Sequence, residues 1–362
     1  MSDFSFSQTL DKTGVPGSSL LAELASTGQR FKWLYLLGLA TLALSYPIAM
    51  VTGNRPDFAT VGGFGAILLS LFVVLAMAII MGKFVHMALV EKPQSPSKAL
   101  IAWARTQLGK DQRLYNTAHM ILSVGLFMTG FAVLKGAIAV LHPFSWDETF
   151  VAWDRAVHFG ALPHEWLMPL IRNADVVSFF NFFYNIWYFV LLATLLVAGA
   201  AASRSPQHMR YMISFMLTWL IPGFFLALVF SSAGPCFYQR AGYGELYQPL
   251  MEALNTAAQT HQIWALPTQD LLWDGFVGAR DGSAGISAFP SLHVATAVLI
   301  GCYARSFHKI LALLAWGFAA IIMVGSVVLA WHYAVDGYAG AAMAVVIWKV
   351  TGRWIRPETE KS

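Results

Sequence analysis

Charged residues are scarce in this chain: they make up 12% of its 362 residues, whereas 57% are hydrophobic. Soluble domains carry about a quarter charged residues, and a soluble core of this composition would leave large apolar patches in water. The shortage of charge excludes an ordinary soluble domain. It predicts an all-α integral membrane protein whose helices are apolar on the outside as well.

Cysteine is also scarce, because the chain has only Cys236 and Cys302. Two cysteines exclude a dense disulfide framework, and we expect free thiols. No His-x-x-x-His or Cys-x-x-Cys pair occurs, which disfavours a zinc hydrolase, so no metal or other cofactor is expected. The chain also lacks an Asn-x-Ser/Thr acceptor, in keeping with a bacterial inner membrane.

The N-terminal residues lack the order of basic flank, apolar core and cleavage site that a signal peptide needs. We therefore expect residues 1–32 to form a short cytosolic tail. Crossing a bilayer takes about 20 mostly apolar residues in a helix. This criterion predicts eight spans, at Trp33–Val51, Val61–Val85, His119–Leu141, Val176–Ala201, Tyr211–Ala233, Ser287–Ala304, Ile310–Ala330 and Asp336–Val350.

The basic residues are distributed unevenly between the two sets of loops. One set, which includes both termini, holds 17 of the 23 lysines and arginines and is expected to face the cytosol. The remaining six are Arg55, Lys135, Arg155, Arg172, Arg240 and Arg280, of which Lys135 falls inside the third span.

These spans define the expected organisation of the chain. Residues 33–118 contain two N-terminal spans and a basic cytosolic loop. Residues 119–352 form a six-helix core that includes two outer cap segments, 141–175 and 234–286, and residues 353–362 form a second tail. No internal repeat is found.

Two stretches at the outer helix ends carry the candidate chemistry: Ser287-Ala-Phe-Pro-Ser-Leu-His293 and His332-Tyr-Ala-Val-Asp336. Pro290 suits the first turn of a helix, so the sixth span is expected to start near it. Its first N–H groups, with the Ser291 hydroxyl and His293, would then form an anion site.

His332 and Asp336 are four residues apart, so on one helix the carboxylate can reach the imidazole. A carboxylate holding one ring nitrogen leaves the other with its lone pair directed outward, as a nucleophilic histidine needs. His293 would then donate a proton to the leaving oxygen. The alternative is that each residue serves only as a polar anchor or a helix cap.

Pro290-Ser-Leu-His293 and His332-x-x-x-Asp336 resemble the second and third motifs of the type 2 phosphatidic acid phosphatase superfamily. The resemblance covers about the last 160 residues. It implies that His332 attacks phosphorus, that Asp336 orients it and that His293 protonates the leaving group.

The chain departs from the phosphatases of that superfamily. Their first motif, a lysine, six residues and then Arg-Pro, does not precede the other two motifs, because the only Arg-Pro pairs, Arg55-Pro56 and Arg356-Pro357, lie in the wrong places. The chain also has Gly325 and Ser326 where the phosphatases carry Ser-Arg. In this it resembles fungal inositol phosphorylceramide synthase and the sphingomyelin synthases. The run Gly234-Pro-Cys-Phe-Tyr238 is also similar to the former, and Tyr238 is expected to bind substrate.

A phosphate ester needs a counter-ion, and Arg240 and Arg280 are the nearest basic candidates in the outer segment. The alternative is that both are solvated or bind lipid head groups. Lys135 can instead extend its ammonium to the interface.

The expected function is a membrane phosphotransferase that moves a phospho-head-group from a phospholipid donor to a lipid or glycan hydroxyl. The expected partners are these lipids and the bilayer, without nucleic acid. The site is expected to face the periplasm or exterior of a bacterial inner membrane. Two alternatives remain: a lipid phosphate phosphatase and, because ionisable groups lie among the spans, a non-catalytic transporter.

Overall fold

The computed structural model describes residues 20–53, 56–109, 112–279 and 285–355. Within these ranges the chain is almost entirely helical and contains no β-strand, which confirms the predicted all-α membrane class. The helices are α1 (Leu20–Arg30), α2 (Lys32–Thr52), α3 (Ala59–His86), α4 (Pro96–Gly109), α5 (Arg113–Leu141), α6 (Asp147–Val157), α7 (Pro163–Ile171), α8 (Ala174–Ala200), α9 (Pro206–Leu220), α10 (Ala227–Val229), α11 (Gln248–Ala257), α12 (Ala265–Phe276), α13 (Leu292–Ala304), α14 (Lys309–Val328) and α15 (Ala334–Trp354).

Six of the eight predicted spans are long and apolar enough to cross a bilayer. These are Lys32–Thr52, Gly62–Glu91, Arg113–Leu141, Ala174–Ala200, Pro206–Val229 and Lys309–Val328. The fifth includes a π-helical segment, Ile221–Leu226, between α9 and α10. The predicted sixth and eighth spans are helices as well, α13 and α15, and both pack against the same bundle.

Helix α13 is shorter than the predicted span Ser287–Ala304. It has 13 residues and begins at Leu292, two residues after Pro290, because the Ser291 side chain accepts a hydrogen bond from Val294 N and caps the helix there. Residues 285–291 are not helical, and the chain bends at Phe289 and Pro290. At about 1.5 Å per residue α13 is about 20 Å long, less than the hydrocarbon thickness of about 30 Å.

Helix α2 and helix α5 approach each other closely at two glycines. A Cβ added at Gly130 of α5 would lie 2.7 Å from Leu42 Cα, and one added at Gly38 of α2 would lie 2.8 Å from the Ser123 carbonyl oxygen. The two backbones thus approach directly, as small residues allow in membrane helices. Helix α2 is packed against the core along this seam.

Short helices occupy both segments for which an outer cap is expected. Helices α6 and α7 lie between α5 and α8, and α11 and α12 lie between α10 and α13. Helix α6 packs against α15, and α11 packs against α7 and α8. The segment predicted as an N-terminal tail also contains a helix, α1.

The glycine seam gives a stability prediction. Gly130→Val should lower the free energy of unfolding by about 1–3 kcal/mol, because the added methyl groups force α2 away from α5. Thermal unfolding in detergent measures the change. Gly317→Val is the matched control, because a Cβ at Gly317 of α14 would meet no atom within 4 Å. Equal loss of stability in the two variants would contradict the close approach.

Candidate active site

His332 lies in the link between α14 and α15, and 7% of its surface is exposed. Its Nδ1 lies 2.7 Å from the carbonyl oxygen of Ala288, in the segment before α13. A carbonyl can only accept a hydrogen bond, so Nδ1 carries the proton. The lone pair is therefore on Nε2, which is the nitrogen left for chemistry.

The charge state of His332 follows from its surroundings. Burial lowers the pKa of His332 to about 3; the hydrogen bond to Ala288 opposes this shift and the positive charge of Lys135 adds to it. A histidine with so low a pKa is neutral at physiological pH. The imidazole is thus in the form that a nucleophile requires.

Asp336 is the third residue of α15, in its first turn, and is fully buried. Its Oδ2 accepts a hydrogen bond from Tyr333 N at 2.9 Å and lies 3.5 Å from His332 Nδ1. The Ala288 carbonyl oxygen is therefore the nearer acceptor for Nδ1, and the Asp336 carboxylate is the more distant one. Asp336 Oδ1 is buried and has no hydrogen-bond partner.

His293 is the second residue of α13, and its ring centroid lies 5.8 Å from that of His332. Tyr184 stacks on it with centroids 4.4 Å apart, and the Trp187 ring lies 4.1 Å away. Trp187 is itself held by a 2.9 Å hydrogen bond from its Nε1 to Thr296. Two aromatic residues of α8 thus fix the His293 imidazole beside His332.

Ser291 links the start of α13 to the start of α15. It is fully buried, its side chain caps α13, and its N–H donates to the Asp336 carbonyl oxygen at 3.0 Å. A Cβ at Gly340 would lie only 2.4 Å from the Ser291 carbonyl oxygen, so α15 approaches the cap closely. In this geometry the Ser291 hydroxyl acts as a helix cap.

The other expected substrate-binding residues lie in the α10–α13 connection. Tyr238 packs against the tyrosines of this connection and lines an open cleft of about 950 Å³. Arg240 forms a 2.5 Å ion pair with Asp270 and is partly exposed. Arg280 lies outside the described residues.

Two carboxylates of α6 that the sequence analysis did not single out hold the active-site loops. Asp147 accepts hydrogen bonds from the N–H groups of Ala233 and Gly234, both at 2.9 Å, and from the Tyr333 hydroxyl at 2.8 Å. Asp147 is completely buried. It ties the turn after α10 to the residue that follows His332.

Asp154 lies two helical turns after Asp147 on the same face of α6. Its two carboxylate oxygens accept from Ala334 N at 3.0 Å and Val335 N at 2.9 Å, so it caps the start of α15. The sequence signal for both residues is two aspartates at a spacing of seven among apolar residues of an amphipathic helix. Such a pattern indicates buried carboxylates that need donors.

Comparison with known proteins agrees with this geometry. A sequence model of the PAP2 superfamily matches residues 148–350. The chain belongs to the PAP2 superfamily. No curated protein and no solved structure matches it.

Membership of the PAP2 superfamily makes the chain an enzyme of phosphatase or phosphotransferase type that acts on lipid phosphates. The matched region begins at Glu148, on α6, and so reaches further towards the N-terminus than the last 160 residues in which the motifs were recognised. Helix α6 is thus part of the family region.

The cap on α15 gives a prediction about positioning. Asp154→Ala should lower the free energy of unfolding by about 2–4 kcal/mol, because two buried N–H groups lose their acceptor. The same change should lower kcat at least about tenfold, because α15 carries Asp336 next to His332. Thermal unfolding and turnover measure the two effects.

Asp154→Asn should fall between the wild type and Asp154→Ala, because it keeps one acceptor oxygen. Glu252→Ala, an exposed acidic residue on α11, is the control and should change neither quantity. If Asp154→Ala matches this control, Asp154 does not position the site.

Proposed function

We propose that the chain is a membrane lipid phosphotransferase that moves a phospho-head-group from a phospholipid donor to a lipid or glycan hydroxyl. The observation that carries the proposal is the buried, neutral His332, with Nδ1 bound to Ala288 and Nε2 left free beside His293. A phosphohistidine on Nε2 splits the transfer into two displacements.

In the first displacement the Nε2 lone pair of His332 attacks phosphorus. The P–O bond to the lipid alcohol breaks as the N–P bond forms. His293, which takes up a proton as the phosphate anion binds beside it, gives that proton to the leaving oxygen. The products are a free lipid alcohol, neutral His293 and a head group linked through phosphate to His332. Nδ1–H keeps its bond to Ala288, and the Asp336 carboxylate stabilises the positive charge on the ring.

In the second displacement the acceptor hydroxyl replaces the lipid alcohol. Its proton passes to His293 while its oxygen attacks phosphorus and the N–P bond breaks. His332 returns to its neutral form and His293 to the imidazolium. Water in place of the acceptor would give hydrolysis, so one site supports both transfer and a slow phosphatase reaction.

Charge favours the transferase over a dedicated phosphatase. A phosphodiester carries one negative charge, whereas a phosphomonoester carries up to two and needs more cations. Arg240 is already paired with Asp270. Ser326, which stands where the phosphatases carry arginine, is fully buried and donates its hydroxyl to the Met323 carbonyl oxygen at 2.7 Å.

The open cleft beside α6 is a suitable place for a polar acceptor or head group. Its lining includes Glu148, Arg155, Tyr238, Tyr243 and Glu245. Carboxylates, a guanidinium and tyrosine hydroxyls are groups that bind hydroxyl-rich molecules by hydrogen bonds.

The assay that tests the proposal supplies labelled phosphodiester and phosphomonoester lipids separately, with and without acceptors, to purified protein. Labelled transfer product should exceed free head group or phosphate when an acceptor is present. His332→Ala should lose at least about 10³-fold in turnover, whereas His86→Ala, an exposed histidine at the other end of the bundle, should not. Rapid phosphate release from monoesters, unaffected by any acceptor, would instead identify a lipid phosphatase.

We also propose that the site faces the exterior or periplasm of a bacterial inner membrane. The support is the excess of basic residues on the set of loops opposite the site. In a variant without Cys236 and Cys302, a cysteine at Glu245 should react with an impermeant reagent added to intact cells, and one at Ser306 should not. The reverse labelling pattern would invert the orientation.

A further inference from the structure

A lysine side chain enters the bundle beside the segment that leads to α13. Lys135, on α5, is half-buried, and its Nζ is 3.4 Å from the Ser287 carbonyl oxygen. Its charge acts on the imidazoles of both His293 and His332. Ser287 precedes Ala288, which holds His332, so the ammonium and the nucleophile are anchored to neighbouring residues of one segment.

The hydrogen bonding of the Lys135 ammonium is weak. Its contact to Ser287 is long for a hydrogen bond, and an ammonium has three protons to donate. In the part of the chain that the structure describes, no carboxylate lies within salt-bridge distance of Lys135 Nζ. A cation at this depth in a membrane protein is costly unless it meets an anion.

The side chain of Lys135 is packed against another segment of the chain. A Cβ at Gly285 would lie 2.5 Å from Lys135 Cγ, so the segment that leads to α13 lies directly against the lysine stem. A larger residue than glycine at position 285 would displace this stem. This packing holds the stem beside the segment that carries Ser287 and Ala288, whereas a snorkelling lysine would extend away from it.

We propose that Lys135 binds the non-bridging oxygens of the phosphate group that His332 attacks. The proposal rests on the proposed function and names the residue that holds the substrate's negative charge. One ammonium matches the single charge of a phosphodiester. It also stabilises the additional charge that develops on these oxygens in the transition state.

Two substitutions separate a charge role from a structural one. Lys135→Gln keeps a donor for the Ser287 carbonyl oxygen but has no positive charge, whereas Lys135→Arg keeps the charge. We expect Lys135→Gln to lower kcat/KM about 10- to 100-fold, the range for losing a hydrogen bond to a charged group. Lys135→Arg should stay within about fivefold of the wild type. Lys309→Gln, an exposed lysine at the start of α14, is the control.

A binding measurement makes the test independent of turnover. In the His332→Ala background, inorganic phosphate should raise the thermal unfolding temperature through Lys135. This shift should disappear in the His332→Ala, Lys135→Gln double variant and persist with Lys135→Arg or Lys309→Gln.

The outcomes also distinguish this proposal from the proposed function. If His332→Ala retains full turnover, the phosphohistidine mechanism fails, but the phosphate-dependent shift still reports on Lys135. If turnover depends on His332 and Lys135→Gln binds phosphate and turns over normally, the Lys135 proposal is overturned. Equal losses in Lys135→Gln and Lys135→Arg would also overturn it, because they would assign the residue a packing role.

Discussion

The site depends on the hydrogen bond between His332 Nδ1 and the Ala288 carbonyl oxygen. This bond fixes the tautomer of the His332 imidazole and joins the link before α15 to the segment before α13. The segment before α13 is also bonded to the turn after α10, because Ala288 N donates to the Ser232 carbonyl oxygen at 3.0 Å. Three stretches far apart in sequence therefore have to be in place before one imidazole is oriented.

Three buried carboxylates help to hold these stretches in place. Asp147, Asp154 and Asp336 all lie near the start of α15, where their proximity would be unfavourable in an apolar setting. Each is stabilised by N–H donors: Asp147 by the turn after α10, and Asp154 and Asp336 by the first residues of α15 and the residue before it. The positive end of the helix dipole adds to this stabilisation. Removing α6 would thus remove two acceptors from the active-site framework.

The membrane class and most spans could be predicted from the sequence because apolar runs of about 20 residues have few alternative structures. The histidine motifs were visible because they combine rare polar residues with helix-start signals. The α13 boundary was placed too early because Pro290 was given the first helical position, which the Ser291 cap moves to Leu292. The acceptor of His332 could not be predicted, because a backbone carbonyl 44 residues away leaves no mark on sequence spacing.

The roles of α6 and Lys135 were hidden for a related reason. An aspartate in an amphipathic cap helix resembles a solvated residue until its backbone donors are seen, and a lysine in a span can extend in several directions. Both depend on tertiary contacts between α5, α6 and the loops at the start of α13 and α15. Arg240, in contrast, could be recognised as a cation from the sequence, but its partner Asp270 could not.

The shortness of α13 bears on how the enzyme treats water. A helix of 13 residues is about 10 Å too short to cross the hydrocarbon of a bilayer. If α13 ends at one membrane surface, His293 at its start lies beneath the head-group plane of the other. Aromatic rings from α8 flank it there. Under the proposed mechanism, a phosphohistidine at that depth would meet lipid hydroxyls at a higher concentration than bulk water. Such burial would favour transfer over hydrolysis without a residue dedicated to excluding water.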